Sequence, residues 1–492
     1  MRILLIYPET PSTFWSFTNA LHFVSKRSSN IPLGLLTVAA LLPESWEKKL
    51  IDLNVEPLTD KQILWADYVF ITGMNIHIRS FQHIVRRCNT LGVKVVAGGP
   101  MVTANHSEFL GVDHFILNEA EATLPPFIAD LEKGIPKHVY KTDQFPDLSQ
   151  TPSPAWNLLK MKKYAGMSIQ YSRGCPFNCE FCSIAMLNGH RPRTKSENQF
   201  IAELEALYQQ HWRGSVFIVD DNFIGNKRKL KTEILPAMAA WSAAHGNPFE
   251  FITEASINLA DDDELVDMMV DAGFQSTFIG IETPNSDSLT ECGKSQNLKR
   301  DMSGAVKRLQ QRGLEVYGGF IVGFDSDPPT IFRQMIDFIQ KSGIVTAMVG
   351  LLNAPTGSRL FQRLRTENRL LNVMSGDNMD GSMNFIPKMD YQKLIAGYKD
   401  VLTTIYSQRA YYERIKTFLR EYHPPTITAP KLSFQDIMAF LKSIWKIGLL
   451  EKGKRYYWKL VFLSLFRYPD KFALSIKLAI YGFHFRRVVN SI

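Results

Sequence analysis

Three cysteines stand close together in the stretch YSRGCPFNCEFCSI, residues 171–184. Cys175, Cys179 and Cys182 occupy eight positions in a chain of 492 residues that holds five cysteines in all. A structural zinc ion needs four protein ligands, and His190, eight residues further on, keeps zinc as an alternative. Three thiolates can instead bind three irons of a [4Fe–4S] cluster and leave the fourth iron open to a small molecule. The missing fourth thiolate therefore indicates a coordination site for chemistry.

The residues before this loop predict a first α/β unit. Residues 1 to about 145 alternate between helical patterns and five strand-like runs: RILLIYP, KKLIDLN, ADYVFITGM, VKVVAGGP and DHFILNEAE. This alternation predicts a parallel sheet with helices on both faces and a ligand beyond the carboxyl ends of the strands. Those ends are YPETPS, ITGMNIH, GGPMVT and NEAEAT. Their small residues are typical of loops that approach a large ligand, although Gly98, Gly99 and Pro100 also suit a tight turn.

A second alternation begins with the strand that precedes the cysteines and continues to about residue 365. Six strands are predicted: GMSIQYS, GSVFIVDDN, PFEFITEAS, STFIGIET, EVYGGFIVGF and TAMVGLL. Six strand–helix units are too few for a full eight-stranded barrel and predict a partial barrel, open to a large substrate. Carboxylates at the carboxyl ends of barrel strands are candidate site residues, with helix capping or ion pairing as the alternative.

The last part of the chain, about residues 366–492, has helical periodicity and few glycines. From Lys431 onward it carries twelve Lys and Arg residues against three acidic residues, so it accounts for the net charge of +8 of the chain. LKSIWKIGLL, YYWKLVFLSLFRY and KFALSIKLAIYGFHFRRVV mix these cations with aromatic and aliphatic residues. This pattern is typical of helices that lie in a membrane interface, and packing against the barrel is the alternative.

The motif CPFNCEFC resembles the signature of radical S-adenosylmethionine (radical SAM) enzymes. The resemblance implies a [4Fe–4S] cluster on Cys175, Cys179 and Cys182, SAM on the open iron, and an external electron donor. In such enzymes the reduced cluster cleaves SAM to a deoxyadenosyl radical. The motifs VFIVDDNF, FITEAS, FIGIET and GGFIVGFD are similar to the strand motifs of that family. The SAM contacts that they imply are Phe181, Asp220, Asp221, Glu254, Glu282, Gly319 and Gly323.

The predicted first sheet resembles the flavodoxin-like domain of cobalamin-binding radical SAM enzymes, called class B when members are methylases. NIPLGLLTVAALLP and VVAGGPMVT carry this resemblance. The cobalamin contacts that it implies are Thr72, Gly73, Met74, Gly98, Gly99, Pro100 and Glu119. The Asp-x-His-x-x-Gly motif, which supplies an axial histidine to cobalt in related proteins, is absent. His77 is therefore interpreted as a polar loop residue.

Further motifs, among them DLNVEPL, RPRTKS and VDDNFIGNK, are similar to a branch that includes hopanoid methylases. The resemblance implies a methyltransferase that moves a methyl group from SAM, through methylcobalamin, to an unactivated carbon of a lipid such as a hopanoid. One alternative is oxidative ring formation on a lipid or porphyrin. Another is a cobalamin- or redox-sensing regulator that binds nucleic acid. No nucleic-acid motif accompanies the basic tail, so nucleic acid is not expected as a partner.

Together these patterns predict an α/β chain of three domains. They are a doubly wound cobalamin-binding domain over residues 1–145, a partial (β/α)6 radical SAM barrel over 146–365, and a helical basic domain over 366–492. Few cysteines favour a cytoplasmic setting, and the apolar run in MRILLIYPET is too short for a signal peptide. No apolar run reaches 18 residues, so the expected membrane contact is peripheral, at the inner face of the cell membrane through the tail.

Overall fold

The first sheet of the computed structural model is parallel and doubly wound. The structure describes residues 1–371, 374–377, 379–424 and 434–491. The strands of this sheet are β1 (Arg2–Tyr7), β2 (Glu47–Asp52), β3 (Tyr68–Thr72), β4 (Lys94–Gly98), β5 (His114–Ile116) and β6 (Val139–Tyr140). Their spatial order is β2-β1-β3-β4-β5-β6, with every pair parallel. The five predicted strands are confirmed, and the two-residue β6 is too short to leave a sequence pattern.

Helices cover both faces of this sheet because its side chains alternate. Leu4 and Ile6 of β1 belong to the apolar cluster on one face, and Ile3 and Leu5 to the cluster on the other. The helices around the sheet are Leu33–Leu41, Asp60–Trp65, Ile78–Thr90, Pro100–Asn105 and Ala120–Glu132, whereas the short helix Thr18–Leu21 packs on the helix Phe472–Val489 at the end of the chain. Cys88 is buried in one of them, so it serves packing.

The second sheet is the predicted partial barrel. Its strands are β7 (Met167–Ile169), β10 (Gly214–Ile218), β11 (Phe249–Ala255), β12 (Phe274–Glu282), β13 (Glu315–Val322) and β14 (Ala347–Leu351). All pairs are parallel and the order β14-β13-β12-β11-β10-β7 follows the chain, so the sheet curves without closing. Two short antiparallel strands, β8 (Ser172–Arg173) and β9 (Arg193–Thr194), stand beside β7.

The barrel helices alternate with the strands as predicted. Ser196 caps the first long helix, since its hydroxyl accepts a hydrogen bond from the N–H of Gln199 at 3.3 Å. The helices are Ile184–Asn188, Glu197–Gln209, Lys227–Lys229, Leu235–Ala244, Asp263–Asp271, Ser286–Glu291, Met302–Gln311 and Ile331–Ser342, with a π-helical segment at Leu230–Ile234.

The described part of the chain after β14 is helical apart from its connecting segments. Its helices are Arg359–Thr366, Tyr391–Ile405, Gln408–Glu421, Phe434–Ser443, Lys454–Arg467 and Phe472–Val489, with a π-helical segment at Ile444–Leu450. The last helix is largely buried, and its Phe485 packs 5.6 Å from Phe14 and 5.0 Å from Tyr406, measured between ring centroids. For this helix packing, and not a membrane interface, explains the apolar pattern. Lys431 lies outside the described residues.

Across the described ranges, none of the helices combines the length and apolarity that crossing a bilayer requires. The first sheet ends at Tyr140 and the barrel sheet at Leu351. The predicted domain limits at residues 145 and 365 fall shortly after these strands and stay predictions.

Candidate functional site

The three cysteines lie on the loop between β8 and β9, immediately after the first barrel strand. Gly174 opens this loop with φ +100°, and a Cβ there would lie 2.8 Å from the carbonyl oxygen of Arg191. Within the loop the N–H of Cys182 donates to the carbonyl of Cys179 at 3.1 Å. The chain thus turns sharply, at a position that requires glycine, to bring the thiols together.

The thiols are partly accessible and close enough to influence one another. Burial, and to a smaller extent the neighbouring Cys179, raise the pKa of Cys182 to about 12. Burial and Cys179 also raise the pKa of Cys175. Such thiols keep their protons at neutral pH and release them when a metal binds, which makes metal binding by this loop dependent on pH.

The geometry favours an iron–sulfur cluster over zinc. His190 is exposed, although the carbonyl of the preceding Gly189 accepts a hydrogen bond from the N–H of Cys175 at 3.2 Å. Among the residues that the structure describes, no three His, Cys, Asp or Glu side chains converge so as to hold a single metal ion. Cysteines that bind a [4Fe–4S] cluster each hold a different iron, so they need not converge on one point. The cysteine loop therefore fits the cluster.

A lysine that the sequence analysis did not single out lies beside the thiols. The Nζ atom of Lys294 lies 2.6 Å from Oε1 of Glu282, and both side chains are largely buried. Burial alone would lower the pKa of Lys294, but the charges of Glu282 and Cys179 raise it. The ion pair places the ammonium group of Lys294 beside the cysteine loop, with the carboxylate of Glu282 as its counter-charge. The sequence feature that could have identified Lys294 is its position in the loop that follows Glu282, the acidic residue at the end of β12.

The predicted acidic pair after β10 anchors the start of the cysteine loop. Asp220 accepts hydrogen bonds from the N–H of Tyr171 at 2.8 Å and from the hydroxyl of Ser172 at 2.5 Å. Asp221 accepts one from the N–H of Gly174 at 2.8 Å. Both carboxylates are engaged by the protein itself, and their contact with SAM stays a prediction.

Glu254 is different, because its carboxylate faces the barrel interior without a protein partner. No hydrogen bond to this side chain occurs within the described residues. Burial, together with the charges of Asp221 and Asp220, raises the pKa of Glu254 to about 7. A carboxylate so placed is available to a cationic group, such as the amino group of SAM.

The residues expected near the adenine come together at the end of β13. Gly323 has φ +107°, and its N–H donates to Asp327 at 2.8 Å. The ring of Phe181 lies 6.2 Å from that of Phe324, the residue after Gly323, in an edge-on orientation. A Cβ at Gly319 would lie 2.6 Å from the ring of Phe278, so glycine is required there too.

The predicted cobalamin contacts at the ends of β3 and β4 lie side by side: Thr72, Gly73, Met74, Gly98, Gly99 and Pro100. Gly99 has φ +96°, and a Cβ there would overlap Oγ1 of Thr72, which donates to the carbonyl of Gly98 at 3.0 Å. The side chain of Met74 is half exposed. This edge, lined by glycine backbone, fits the approach of a large flat ligand such as cobalamin.

A cleft of about 910 Å³ lies at the same end of the first sheet. Its walls come from the loops after β1, β2 and β3, including Glu9, Asn54 and Arg79, and from Asp377 of the tail. The neighbours β1 and β3 form the switch point of this sheet, where ligands of doubly wound folds bind. The residues that line the cleft do not include the predicted cobalamin contacts at the ends of β3 and β4, so the cleft lies beside that edge.

His77 is buried and braced at both ring nitrogens. Its Nδ1 accepts a hydrogen bond from the N–H of Met74 at 3.0 Å, and its Nε2 lies 2.9 Å from Oγ1 of Thr10. Burial lowers its pKa to about 4, so the ring is neutral. The interpretation as a polar loop residue is refined: His77 holds the loop after β3 and has no nitrogen left for a metal.

Glu119, the remaining predicted cobalamin contact, joins the first sheet to the cysteine loop. It is buried between Arg173 and Arg193, at 2.6 Å and 2.5 Å. Arg173 also pairs with Glu121 at 2.8 Å. Since Arg173 ends β8 and Arg193 begins β9, both ends of the loop are held against the first domain. The contact of Glu119 with cobalamin stays a prediction.

The helix Arg359–Thr366 and the segment after it hold the loop from the other side, through residues that sequence reasoning missed. Arg363 pairs with Glu180, inside the loop, at 2.7 Å and with Asp325, beyond β13, at 2.9 Å. Arg369 pairs with Asp325 at 2.6 Å. Burial would raise the pKa of Asp325, but the two arginines lower it to about 2. The cysteine loop is thus positioned by three distant parts of the chain.

Family models match three stretches of the chain. Residues 25–128 match the B12 binding domain, and residues 169–339 match the radical SAM superfamily. Residues 358–492 match a domain of unknown function, DUF4070. The first match contains the glycine-lined edge, and the second contains the cysteine loop with Glu254 and Glu282.

Known relatives extend over nearly the whole chain. It is 39% identical over 490 residues to an uncharacterized methyltransferase of Synechocystis sp., covering 99% of this chain and 91% of that protein. It is 33% identical over 478 residues to the hopanoid C-2 methylase of Rhodopseudomonas palustris, covering 95% and 90%.

A solved structure shares the fold. The radical S-adenosylmethionine methyltransferase TsrM from Kitasatospora setae, with cobalamin and a [4Fe–4S] cluster bound, has a TM-score of 0.62 at 15% identity, over 100% of this chain and 99% of that chain. The cysteine loop, the glycine-lined edge and the extent of these similarities lead to one assignment. The chain belongs to the cobalamin-dependent radical SAM methyltransferases, with a [4Fe–4S] cluster, SAM and cobalamin as its cofactors.

Proposed function

We propose that this enzyme transfers a methyl group to an unactivated carbon of a lipid such as a hopanoid. The observation that carries the proposal is the 33% identity with a hopanoid C-2 methylase over almost the full length of both chains. When bound, the cofactors supply the methyl group and the radical chemistry. The residues of the chain bind and orient the substrate and keep water out.

The side chains on the inner wall of the barrel are evidence for an apolar substrate. Four side chains on the strands are half-buried, whereas their immediate strand neighbours are buried; they are Phe217, Ile252, Phe278 and Ile321. Because successive side chains of a strand point to opposite faces, these four face the barrel interior. Apolar walls with a few polar groups, here Glu254 and the Glu282–Lys294 pair, are typical of small-molecule sites.

Trp15 extends this wall from the first domain. It lies in the segment after β1, and its ring centroid is 5.0 Å from that of Phe278. With 37% of its surface exposed, the indole is packed on one side and open on the other. A rigid aromatic in this position offers a flat surface to a hydrocarbon skeleton.

The test is a reaction of anaerobically reconstituted, cobalamin-loaded protein with a chemical reductant as electron donor, a hopanoid without the extra methyl group, and SAM that carries a deuterated methyl group. The expected product is a hopanoid heavier by one labelled methyl group, detected by mass spectrometry. A product that is instead two hydrogens lighter would establish oxidative ring formation. Deoxyadenosine formation with the lipid unchanged would exclude the lipid substrate.

Paired tryptophan variants connect this test to the site. Trp15→Ala is expected to lower the yield of methylated lipid about tenfold or more, the usual cost of removing an aromatic side chain that anchors a bound partner. Trp65→Ala is the control, because Trp65 stacks beneath Lys49 in the first domain and takes no part in the barrel. Equal yields from the two variants would remove Trp15 from the substrate site.

A further inference from the structure

Two helical segments of the tail present apolar side chains to solvent. In the helix Phe434–Ser443 and the following segment Ile444–Leu450 the exposed residues recur every three or four positions: Phe434, Ile437, Leu441, Trp445 and Leu449. In the helix Lys454–Arg467 they are Phe462, Leu465 and Phe466. Such spacing places each set on one side of its helix. These eight residues are called the tail face below.

The tail face is not the packed side of these helices. Ser443 and Ile447 are buried in the first segment, and Tyr457 and Leu460 in the second. The hydroxyls of Ser443 and Tyr457 lie 2.7 Å apart, so the two segments pack against each other through these sides. Among the residues that the structure describes, the tail face is therefore left uncovered after the helices have met their partners in the fold.

The exposed aromatics are large and ordered. Phe466 is 80% exposed, Trp445 61% and Phe462 53%. The rings of Phe462 and Phe466 stack 6.3 Å apart with 12° between their planes. Apolar surface of this extent on a protein exterior marks a contact with another apolar phase.

The stretch of chain that carries the tail face is rich in cations. Between residues 434 and 471 the chain has eight Lys and Arg against three acidic residues. One of the three, Glu451, pairs with Arg487 at 3.3 Å. The exposed cations of this stretch are Lys452, Lys454, Arg455, Lys459 and Arg467. The charge is complementary to an anionic surface.

We propose that the tail face docks this protein on an anionic lipid bilayer. An apolar helix side with aromatic residues and flanking cations is the design of helices that lie in the membrane interface, which gains both apolar burial and attraction to acidic lipids. The inference goes beyond the proposed function, and it stands whether or not the substrate is a lipid.

Docking would bring the bilayer close to the barrel. Lys442 Nζ donates to the hydroxyl of Ser25 at 2.7 Å, and Lys446 lies 5.4 Å from the ring centroid of Phe23. These contacts attach the tail helices to the segment after β1. The same segment carries Trp15, which contacts Phe278 inside the barrel. A membrane-held molecule could therefore reach the barrel along this segment.

The test is cosedimentation of the full-length, reconstituted protein with vesicles of phosphatidylcholine alone or with added phosphatidylglycerol. Binding is expected only to the anionic vesicles, and it should weaken as salt rises, since salt screens the attraction. The double variant Trp445→Glu/Phe466→Glu should lower the vesicle partition coefficient about tenfold or more, because it sets charge in the interface. Leu110→Glu is the matched control, since Leu110 is 87% exposed but lies in the first domain.

A charge variant and a folding check complete the design. Lys452→Glu/Arg455→Glu should weaken binding to anionic vesicles and leave the thermal unfolding midpoint unchanged. Full-length protein that stays in the supernatant with anionic vesicles at low salt would overturn the proposal. So would a double variant that binds as well as the parent protein. SAM cleavage, measured in detergent without vesicles, tests the activity of the enzyme separately from its binding to membranes.

Discussion

The side chains of Lys294 and Glu282 form an ion pair of 2.6 Å where β12 ends beside the cysteine loop. Glu282 adopts φ +62°, a conformation that non-glycine residues rarely take outside functional sites. Gly280 makes room for the pair, since a Cβ there would collide with Oε1 of Glu282 and lie 2.8 Å from Nζ of Lys294. The strand end is thus shaped around two opposite charges at the mouth of the barrel.

Lys294→Met should destabilise the fold strongly. It leaves the buried carboxylate of Glu282 without a counter-charge, which costs about 3–5 kcal/mol of the free energy of unfolding. The double variant Glu282→Gln/Lys294→Met should recover at least half of this loss, and Lys299→Met, in the same loop but exposed, should be neutral. Urea unfolding measures all three. A double variant as unstable as the single one would contradict the pairing.

Each of Cys175→Ala, Cys179→Ala and Cys182→Ala should abolish the visible absorbance of the reconstituted cluster and all SAM cleavage, because each thiolate holds one iron. Cys292→Ala is the control. Its thiol is buried close to Cys179, so it tests whether any nearby thiol suffices. Iron content and deoxyadenosine are the readouts. A triple variant that still forms deoxyadenosine would refute the assigned ligands.

Glu254→Gln should raise the dissociation constant for SAM about tenfold or more, since it removes the unpartnered charge that faces the barrel interior. Glu250→Gln is matched to it, because Glu250 lies on the same strand with its side chain exposed. Isothermal titration of cluster-loaded protein measures both, with iron content expected to stay unchanged. Equal affinities would exclude Glu254 from the SAM site.

His77→Ala should leave the absorption spectrum of bound cobalamin unchanged, because both ring nitrogens are engaged within the protein. The same variant should lose about 2 kcal/mol of unfolding free energy, since the N–H of Met74 is left without its acceptor. A shifted spectrum with a coordinated-histidine signature would show that His77 reaches the cobalt.

Stability should fall as pH drops from 6.5 to 4, in part because of His484. This side chain is buried with Nε2 3.0 Å from the carbonyl of Thr13. Burial outweighs the carbonyls of Phe14 and Thr13 and lowers its pKa from 6.5 to about 4. Within this window the unfolded chain binds a proton that the folded protein does not, so acid favours unfolding.

His484→Gln should therefore reduce the stability difference between pH 7 and pH 5 by about 2 kcal/mol. Urea unfolding at the two pH values measures it. His190→Gln, at an exposed position, should keep the parent's pH dependence. If His484→Gln keeps it as well, the buried ring does not titrate as described.

Much of the fold was predictable because its signals are local. Buried parallel strands such as β3 and β13 are continuous apolar runs, and their alternation with helices leaves few ways to order a sheet. The cysteine loop was predictable for the same reason, since the spacing of Cys175, Cys179 and Cys182 is a property of eight consecutive positions.

The supports of the site were not predictable in this way. Arg363 and Glu180 are 183 positions apart in the sequence. Glu119 and Arg193 are 74 positions apart. Nothing near either residue specifies its partner. Asp220, Asp221 and Glu254 read alike as acidic strand ends, yet two of them brace the loop and one faces the barrel interior. Which of them is free depends on how the turns after each strand fold.

The tail shows most clearly which features the sequence predicts and which ones only the tertiary structure decides. Three of its segments share a composition of cations, aromatics and aliphatics, and that composition predicts amphipathic helices. Only in the tertiary structure is the helix Phe472–Val489 covered, by Phe14 and Tyr406, while Trp445 and Phe466 stay exposed. The physical reason is that apolar periodicity specifies only that one side of a helix will be removed from water. The rest of the chain decides whether protein covers that side.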